Sequence, residues 1–395
     1  MKMPLSPPDI REVLERLPGK RLTLILGGKP LVDGKYLHWD NLRHRQPPDD
    51  LTHEQWWASI KFARDSASES MPLFDKAGRN FRLVYVPPVR QGLHEIDQSF
   101  GMTGPSSEVQ DMVDAHGRSY LLANSLMEEA IRSSQLEGAS TTRARAKDMI
   151  RERRQPQDKS ERMILNNFQA MERIEEIAGQ DLTLETVFEL HSILVDGTLD
   201  DPNKVGAFRS AEDNIVVGLL HSVETAHVPP PAEELPERLE RLLAFANADT
   251  PEEWLHPALR AIILHFMIGY DHPFVDGNGR VARALFYWAM ARYGYPLTKF
   301  LSISRVLREA PAKYARAYLL TETDGSDLTY FIDYQLQVVL RSIEALANYV
   351  EQKVSTTREV EEELRASPDL NHRQIRLLGH ALRHPGFEYT VRSHQ

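Results

Sequence analysis

Residues 272–283, which read HPFVDGNGRVAR, constrain this chain more than any other stretch. Val281, Leu285 and Trp288 recur at helical spacing after the glycines, so the segment predicts a loop that runs directly into a helix. At such a junction the first backbone N–H groups of the helix lack partners, and the positive end of its dipole faces the loop. The pattern therefore predicts an anion-binding site.

The residue types around this junction suit phosphate. Gly277 and Gly279 let the backbone approach an anion closely and adopt positive φ. Arg280 and Arg283 are three residues apart and therefore share one face of the first helical turns, where they could clamp phosphate oxygens. A Gly-Asn-Gly turn alone usually marks an ordinary turn, and the arginines alone could be solvated surface residues. Their combination favours a phosphate cradle.

Two further side chains of the same loop could carry chemistry. Asp276 could bind Mg²⁺ beside a polyphosphate, although it could also simply cap the helix. His272 could accept the proton of an attacking hydroxyl group. Phe274, which lies between them, is expected to anchor the loop in the core. These residues together predict phosphoryl or nucleotidyl transfer by in-line displacement.

Composition excludes several classes of protein. The 395 residues are 42% hydrophobic and 26% charged, as in globular proteins of two or three domains. A formal net charge of -10 argues against a protein dominated by nucleic-acid binding. The absence of cysteine excludes disulfides, thiolate catalysis and Cys-ligated metals. We find no signal-peptide pattern at the start and no apolar run of membrane-spanning length, so we expect a cytoplasmic protein without membrane contact.

The organisation of the chain changes at about residue 106. Before it the pattern is mixed, with expected strands at Leu22–Leu26 and Phe81–Tyr85 and a helix at Leu51–Ser66. After it the pattern is mainly helical, with expected helices at 117–136, 159–179, 183–197, 232–248, 251–269, 278–293, 312–322 and 326–365.

Two local patterns refine this helical region. A threonine, a proline and two glutamates at Thr250–Glu253 form a capping-box pattern that starts the helix over 251–269. His265, beside the apolar stripe of that helix, is expected to be a packed core histidine. Two β-prone runs, Asn214–His221 and His227–Pro231, predict a β-hairpin.

The motif HxFxDGNGRxxR in residues 272–283 resembles the signature of the Fic family, enzymes that mostly move AMP from ATP onto a protein hydroxyl. The resemblance covers about residues 100–345. It implies a mainly α-helical bundle with a short β-hairpin flap, ATP as substrate, Mg²⁺ held by Asp276, and His272 as the catalytic base. The implied nucleotide-binding residues are Gly277, Asn278, Gly279, Arg280, Val281, Ala282 and Arg283.

A second motif supports the first. Residues 133–138, SSQLEG, resemble the inhibitory [ST]xxxE[GN] motif of the same family, in the subclass where it precedes the signature. The resemblance implies that Glu137, on the same helix as Ser133, forms an ion pair with Arg283 and so removes one clamp from the γ-phosphate. It also implies that a flap over Asn214–Val228 holds the target segment, and it places Tyr314 near the adenine.

These expectations divide the chain into a region of unknown role (1–100), a catalytic domain (101–345) and a linker helix with the start of a winged-helix-like unit (346–395). Residues 371–395 carry the winged-helix resemblance. The long C-terminal helix offers a surface for a homodimer, and nucleic-acid binding stays open. The target protein or segment bears a Ser, Thr or Tyr hydroxyl, and the chain itself could supply it.

Three functions remain open at this point. The first is a self-inhibited protein adenylyltransferase. The second keeps the fold but moves UMP, phosphate or phosphocholine, or removes AMP, because the base and the cradle do not select the nucleobase. The third is a regulator whose helical tail binds DNA or a protein partner.

Overall fold

The structure is a computed structural model that describes residues 1–16, 22–48, 50–100, 118–218, 225–248 and 254–383. It is mainly α-helical, as expected. Before residue 100 the helices are α1 (Ile10–Glu15), α2 (Leu22–Leu26), α3 (Trp39–Leu42), α4 (His53–Ser66) and α5 (Pro87–Ser99), with an antiparallel pair of strands, β1 (Ser68–Phe74) and β2 (Asn80–Val84), between α4 and α5.

The remaining helices surround the signature. They are α6 (Arg118–Leu136), α7 (Arg143–Arg151), α8 (Lys159–Ile177), α9 (Leu184–Val195), α10 (Leu235–Asn247), α11 (Pro257–Asp271), α12 (Asn278–Arg292), α13 (Ile303–Glu309), α14 (Pro311–Thr323), α15 (Thr329–Ala366) and α16 (His372–Arg383). A second hairpin pairs β3 (Val217–Gly218) with β4 (Thr225–His227). All eight helices expected after residue 106 are present. The hairpin is also present, but its second strand is Thr225–His227 instead of the expected His227–Pro231, because the three consecutive prolines at 229–231 cannot donate hydrogen bonds to a ladder.

The helices α11 and α12 form the centre of the main core. Every residue of α11 from Ala258 to Ile268 is buried, and so are Val281 to Met290 of α12. The helices α6, α8, α9, α10 and α15 pack around this pair. The signature loop joins α11 to α12, so its geometry is fixed by the two most buried helices of the fold.

The region before residue 100 packs against the same core. Phe81 and Leu83 of β2 belong to the main hydrophobic cluster. The buried Lys61 forms an ion pair with Asp324 at 2.8 Å, and the Arg64 guanidinium donates a hydrogen bond to the Tyr330 hydroxyl at 2.7 Å. This region therefore buttresses α14 and α15, although its separate role stays unassigned.

The expected strand at Leu22–Leu26 is wrong, because these residues form α2. A short apolar run bounded by glycines fits a strand and a buried helical turn equally well. Here the run packs on α4: Ile25 is buried with Ala58, and a Cβ on Gly28 would lie 2.2 Å from the Ser59 carbonyl oxygen. The close contact between α2 and α4 therefore decides the conformation.

The expected start of the helix over 251–269 is also wrong. Residues 254–256 are not helical, and α11 begins at Pro257. A residue that precedes proline disfavours the α conformation, and His256 accordingly is extended, with ψ 128°. The capping pattern at Thr250–Glu253 lies outside the described residues. His265 is fully buried, as expected for a core histidine.

The C-terminal segment is described as far as residue 383 and contains one helix after α15, so the winged-helix-like unit stays a prediction. Helix α16 packs on α15, and Ile375 near its start donates a backbone hydrogen bond to Asn371. The residues that would complete a winged-helix-like unit lie beyond residue 383, outside the described residues. Nowhere in the described ranges does a helix combine the length and apolar character needed to cross a bilayer.

Candidate active site

The signature loop leaves α11 through His272, whose backbone is left-handed with φ 48° and ψ 58°. The Nδ1 atom of His272 lies 3.2 Å from the Gly269 carbonyl oxygen. Because a carbonyl oxygen only accepts, this contact favours the tautomer with the proton on Nδ1, which leaves a lone pair on Nε2. Burial lowers the pKa of His272 to about 4, so the ring is neutral and able to accept a proton near pH 7.

Backbone contacts hold the middle of the loop. The Asn278 side chain accepts a hydrogen bond from the Phe274 N–H at 2.9 Å and donates one to the Phe274 carbonyl at 2.8 Å. The Phe274 ring is fully buried and stacks on His191 at a centroid distance of 3.8 Å. Phe274 is therefore the core anchor expected from the sequence. The side-chain amide of Asn278 therefore helps to hold the loop.

His191 on α9 fixes the next part of the loop, and sequence reasoning missed it. Its Nδ1 accepts the Gly206 N–H at 3.0 Å, so its Nε2 carries the proton and donates to the Asp276 carbonyl at 3.0 Å. Burial lowers the pKa of His191 to about 4, which keeps this tautomer neutral. In the sequence His191 is one polar residue in an apolar helix, and nothing there distinguishes it.

The cradle begins at Gly277, whose φ of 86° requires glycine and turns the chain into α12. A Cβ at this position would lie 2.9 Å from Val195 Cγ1. The N–H groups of residues 278–280 are the first of the helix. The Val281 N–H already donates to the Gly277 carbonyl at 3.0 Å. Val281 and Ala282 are fully buried, so their side chains pack in the core instead of facing the cradle.

Both signature arginines are buried and retain unused hydrogen-bond donors. Arg280 donates to the Leu194 carbonyl at 2.6 Å and lies 3.6 Å from Asp276. Arg283 donates through Nε to Ser133 Oγ at 2.9 Å and through Nη2 to Glu137 at 2.8 Å. In the part of the chain that the structure describes, Nε and Nη2 of Arg280 and Nη1 of Arg283 have no hydrogen-bond partner. Buried donors without partners are costly, so these groups mark a place for an anion.

The Glu137 carboxylate lies beside Gly279 and Arg283, at the start of α12. A Cβ on Gly279 would lie 2.1 Å from Glu137 Oε1 and 3.0 Å from Arg283 Nη1. The Glu137 side chain is 28% exposed, whereas that of Arg283 is 2% exposed. Burial lowers the pKa of Arg283, but nearby carboxylates, Glu137 foremost, outweigh burial and raise it. The glutamate therefore supplies the negative charge beside a buried arginine at the start of α12.

The expected Mg²⁺ site contains one carboxylate, that of Asp276. Asp276 is half exposed, and its Oδ1 accepts the Gly277 N–H at 2.6 Å. Among the described residues there is no group of three or more side chains that could hold a metal. A single carboxylate beside an anion cradle fits Mg²⁺, which commonly takes one or two carboxylates together with substrate phosphates and waters.

Tyr314 on α14 lies beside Arg283. Its hydroxyl lies 2.7 Å from His265 Nε2, and burial raises its pKa. Its ring stacks loosely on Tyr334, with centroids 6.5 Å apart. The hydroxyl is therefore occupied by the fold, and the adenine contact expected from the sequence stays a prediction.

Comparisons with known proteins agree with the signature. The model of the Fic/DOC family matches residues 181–290. The chain is 33% identical over 116 residues to the protein adenylyltransferase Fic of Drosophila melanogaster. This alignment covers 29% of this chain and 21% of that protein. It is 31% identical over 166 residues to the protein of the same name from Drosophila mojavensis, which covers 41% of this chain and 31% of that protein. The chain thus spans less than a third of these relatives.

Solved structures show the same fold over a larger part of the chain. A Fic family protein from Desulfovibrio desulfuricans superposes with a TM-score of 0.55 and 20% identity, covering 75% of this chain and 85% of that one. A Fic domain containing signaling protein from Bacteroides thetaiotaomicron superposes with a TM-score of 0.50 and 22% identity. This match covers 67% of this chain and 98% of that one. The match to the Fic/DOC family model thus covers residues 181–290, and the fold that the chain shares with these solved structures extends beyond that match.

Proposed function

We propose that this protein is a nucleotidyltransferase that moves AMP from ATP onto the hydroxyl of a Ser, Thr or Tyr side chain in a protein. The observation that carries the proposal is the convergence of His272, three unused donors of Arg280 and Arg283, and the start of α12 around one loop. A neutral base and a buried anion cradle are what in-line nucleotidyl transfer requires.

The transfer needs no nucleophile from the enzyme. The target hydroxyl oxygen attacks the α-phosphorus, and its proton passes to Nε2 of His272. The bond between the α-phosphorus and the bridging oxygen breaks, and pyrophosphate leaves with the electron pair. The cradle N–H groups and the two arginines stabilise the charge that moves toward the leaving group. Mg²⁺, which Asp276 would hold, would neutralise part of that charge.

The proposal includes self-inhibition. The Glu137 carboxylate takes one hydrogen bond from Arg283 and repels the anion that would otherwise receive it. Electrostatic competition of this kind typically shifts an equilibrium by about 1–3 kcal/mol, which is roughly 5- to 150-fold. Glu137 is partly exposed, so it can leave without unfolding the core. The flap at β3 and β4 would hold the target segment by strand pairing.

A panel of labelled nucleotides tests the proposal. Wild type, Glu137→Gly and the double variant with His272→Ala are incubated with α-labelled ATP, γ-labelled ATP and α-labelled UTP. We expect label on protein from α-labelled ATP with Glu137→Gly, at a rate that falls about 10²- to 10⁴-fold when His272 is replaced. Label from γ-labelled ATP alone would indicate phosphate transfer, and label from UTP would indicate UMP transfer. No label from any nucleotide would contradict the proposal.

A further inference from the structure

The backbone of His272 adopts a conformation that histidine rarely uses. Its φ of 48° lies in the left-handed region, which favours glycine. A non-glycine residue persists there only when the surrounding structure holds it. The strain matters here because this residue carries the imidazole of the candidate site.

One side chain bonds to the carbonyl groups on both sides of this strained residue. Arg209 donates through Nε to the His272 carbonyl at 2.7 Å and through Nη2 to the Asp271 carbonyl at 3.2 Å. Its backbone N–H donates to the Pro273 carbonyl at 2.8 Å. Three consecutive carbonyl groups, those of residues 271–273, therefore accept hydrogen bonds from a single residue 63 positions away in the chain.

The same guanidinium also bonds to the segment that directly follows β4 of the flap. Arg209 Nη2 donates to the Pro230 carbonyl at 2.6 Å, and Pro230 follows β4 closely in the chain. Arg209 is 7% exposed, so these bonds are shielded from water. The rigid fork of the guanidinium thus joins the loop that carries the base to the segment that leads into the flap.

We propose that Arg209 is a positioning residue that fixes the imidazole of His272 relative to the flap, and hence relative to the target hydroxyl. The expected effect on transfer rests on the proposed function, whereas the hydrogen bonds of Arg209 do not depend on it. Arg209 donates its side-chain bonds to the carbonyls of residues 230, 271 and 272, whereas the cradle is bonded to α9 and α6. We therefore expect its loss to slow transfer and to leave ATP recognition unchanged.

Variants of Arg209 in the Glu137→Gly background test this proposal. Arg209→Met keeps the length of the side chain but removes its donors, and Arg209→Lys restores one cationic group without the fork. Arg308→Met is the matched control, because Arg308 is an exposed arginine remote in sequence from the loop. Each variant is assayed for kcat and for the KM for ATP, and its histidine ring is observed by ¹⁵N NMR, with His272→Ala identifying the His272 signals.

We expect Arg209→Met to lower kcat by about 100-fold, the loss typical of a displacement of about 1 Å, with the KM for ATP changed less than about twofold. Arg209→Lys should recover only part of the loss, and the His272 ring signals should shift in both variants but not in Arg308→Met. Unchanged kcat, a parallel loss of ATP recognition, or His272 signals identical to those of the parent would overturn the proposal. If the parent itself transfers nothing, the proposed function fails, and the His272 signals alone decide whether Arg209 positions the ring.

Discussion

The loop that carries His272 and the cradle that begins at Gly277 are adjacent in sequence but are held in opposite ways. The loop is bonded to three buried side chains: those of Arg209, His191 and Asn278. The cradle is capped by Glu137, which directly follows the last residue of α6 and whose side chain is 28% exposed. Under the proposed function, the base is therefore held rigidly by the fold, whereas access to the phosphate site is controlled by Glu137, a partly exposed side chain.

The largest expected effect falls on the base. His272→Ala should lower transfer by about 10²- to 10⁴-fold, because general base catalysis commonly contributes that much. ATP affinity should stay within a few-fold, since His272 is not part of the cradle. Initial rates and nucleotide titration measure the two quantities. Transfer at the wild-type rate in this variant would show that His272 is not the base, and the contrast between loop and cradle would then fail.

Removal of the movable cap should have the next largest effect. Glu137→Gly should raise transfer by about 5- to 150-fold, because it frees Arg283 for a phosphate. Glu137→Gln keeps the shape but removes the charge, and should give an increase of the same sign. Glu152→Gln is the control, since Glu152 is an exposed glutamate at the end of the neighbouring α7. Equal transfer rates in wild type and all three variants would show that Glu137 does not control access to the phosphate site.

The pH dependence of transfer sharpens the account of the loop. Burial lowers the pKa of His272 to about 4, so the imidazole stays neutral as the pH falls through 6.5, the ordinary value. The acidic limb of kcat/KM should therefore lie near pH 4. The same shift destabilises the folded protein below pH 6.5, because the unfolded chain binds a proton that the folded one does not. A limb near 6.5 would show that the ring is solvated.

The glycine that opens the cradle should give the smallest effect. Gly277→Ala places a Cβ at positive φ and 2.9 Å from Val195 Cγ1. We expect a loss of about 1–2 kcal/mol in the free energy of unfolding, from the strained backbone. Gly179→Ala is the control, because nothing lies within 4 Å of the added atom. Thermal denaturation of both variants measures the difference, and an equal stability would contradict the strain.

The sequence was sufficient where the signal is local. The signature spacing placed His272, Asp276 and the cradle on one loop, and periodicity identified the helices that carry it. Sequence reasoning failed where a tertiary contact decides the outcome. Leu22–Leu26 became a helix because α4 packs against it, and Arg209 has its contacts only because the fold brings it to residues 271–273. Such partners lie tens of residues apart and share no spacing rule.

Helix geometry distinguishes among the signature residues in a way that the motif alone does not. The resemblance implies that residues 277–283 all bind the nucleotide, and a helix has unused N–H groups only in its first turn. The Val281 N–H is already bonded to the Gly277 carbonyl, and the Val281 and Ala282 side chains are fully buried. The resemblance could name the motif, whereas helix geometry decides which of its members face the site.

The most direct test of the central claim is a pair of crystal structures with ATP and Mg²⁺, one of wild type and one of Glu137→Gly. We expect the triphosphate at the start of α12 in the variant, with a γ-phosphate oxygen within hydrogen-bond distance of Arg283. In wild type, Arg283 should keep its bond to Glu137 and the γ-phosphate should lie elsewhere. A γ-phosphate bonded to Arg283 while Glu137 stays in place, or a triphosphate bound away from α12, would contradict it.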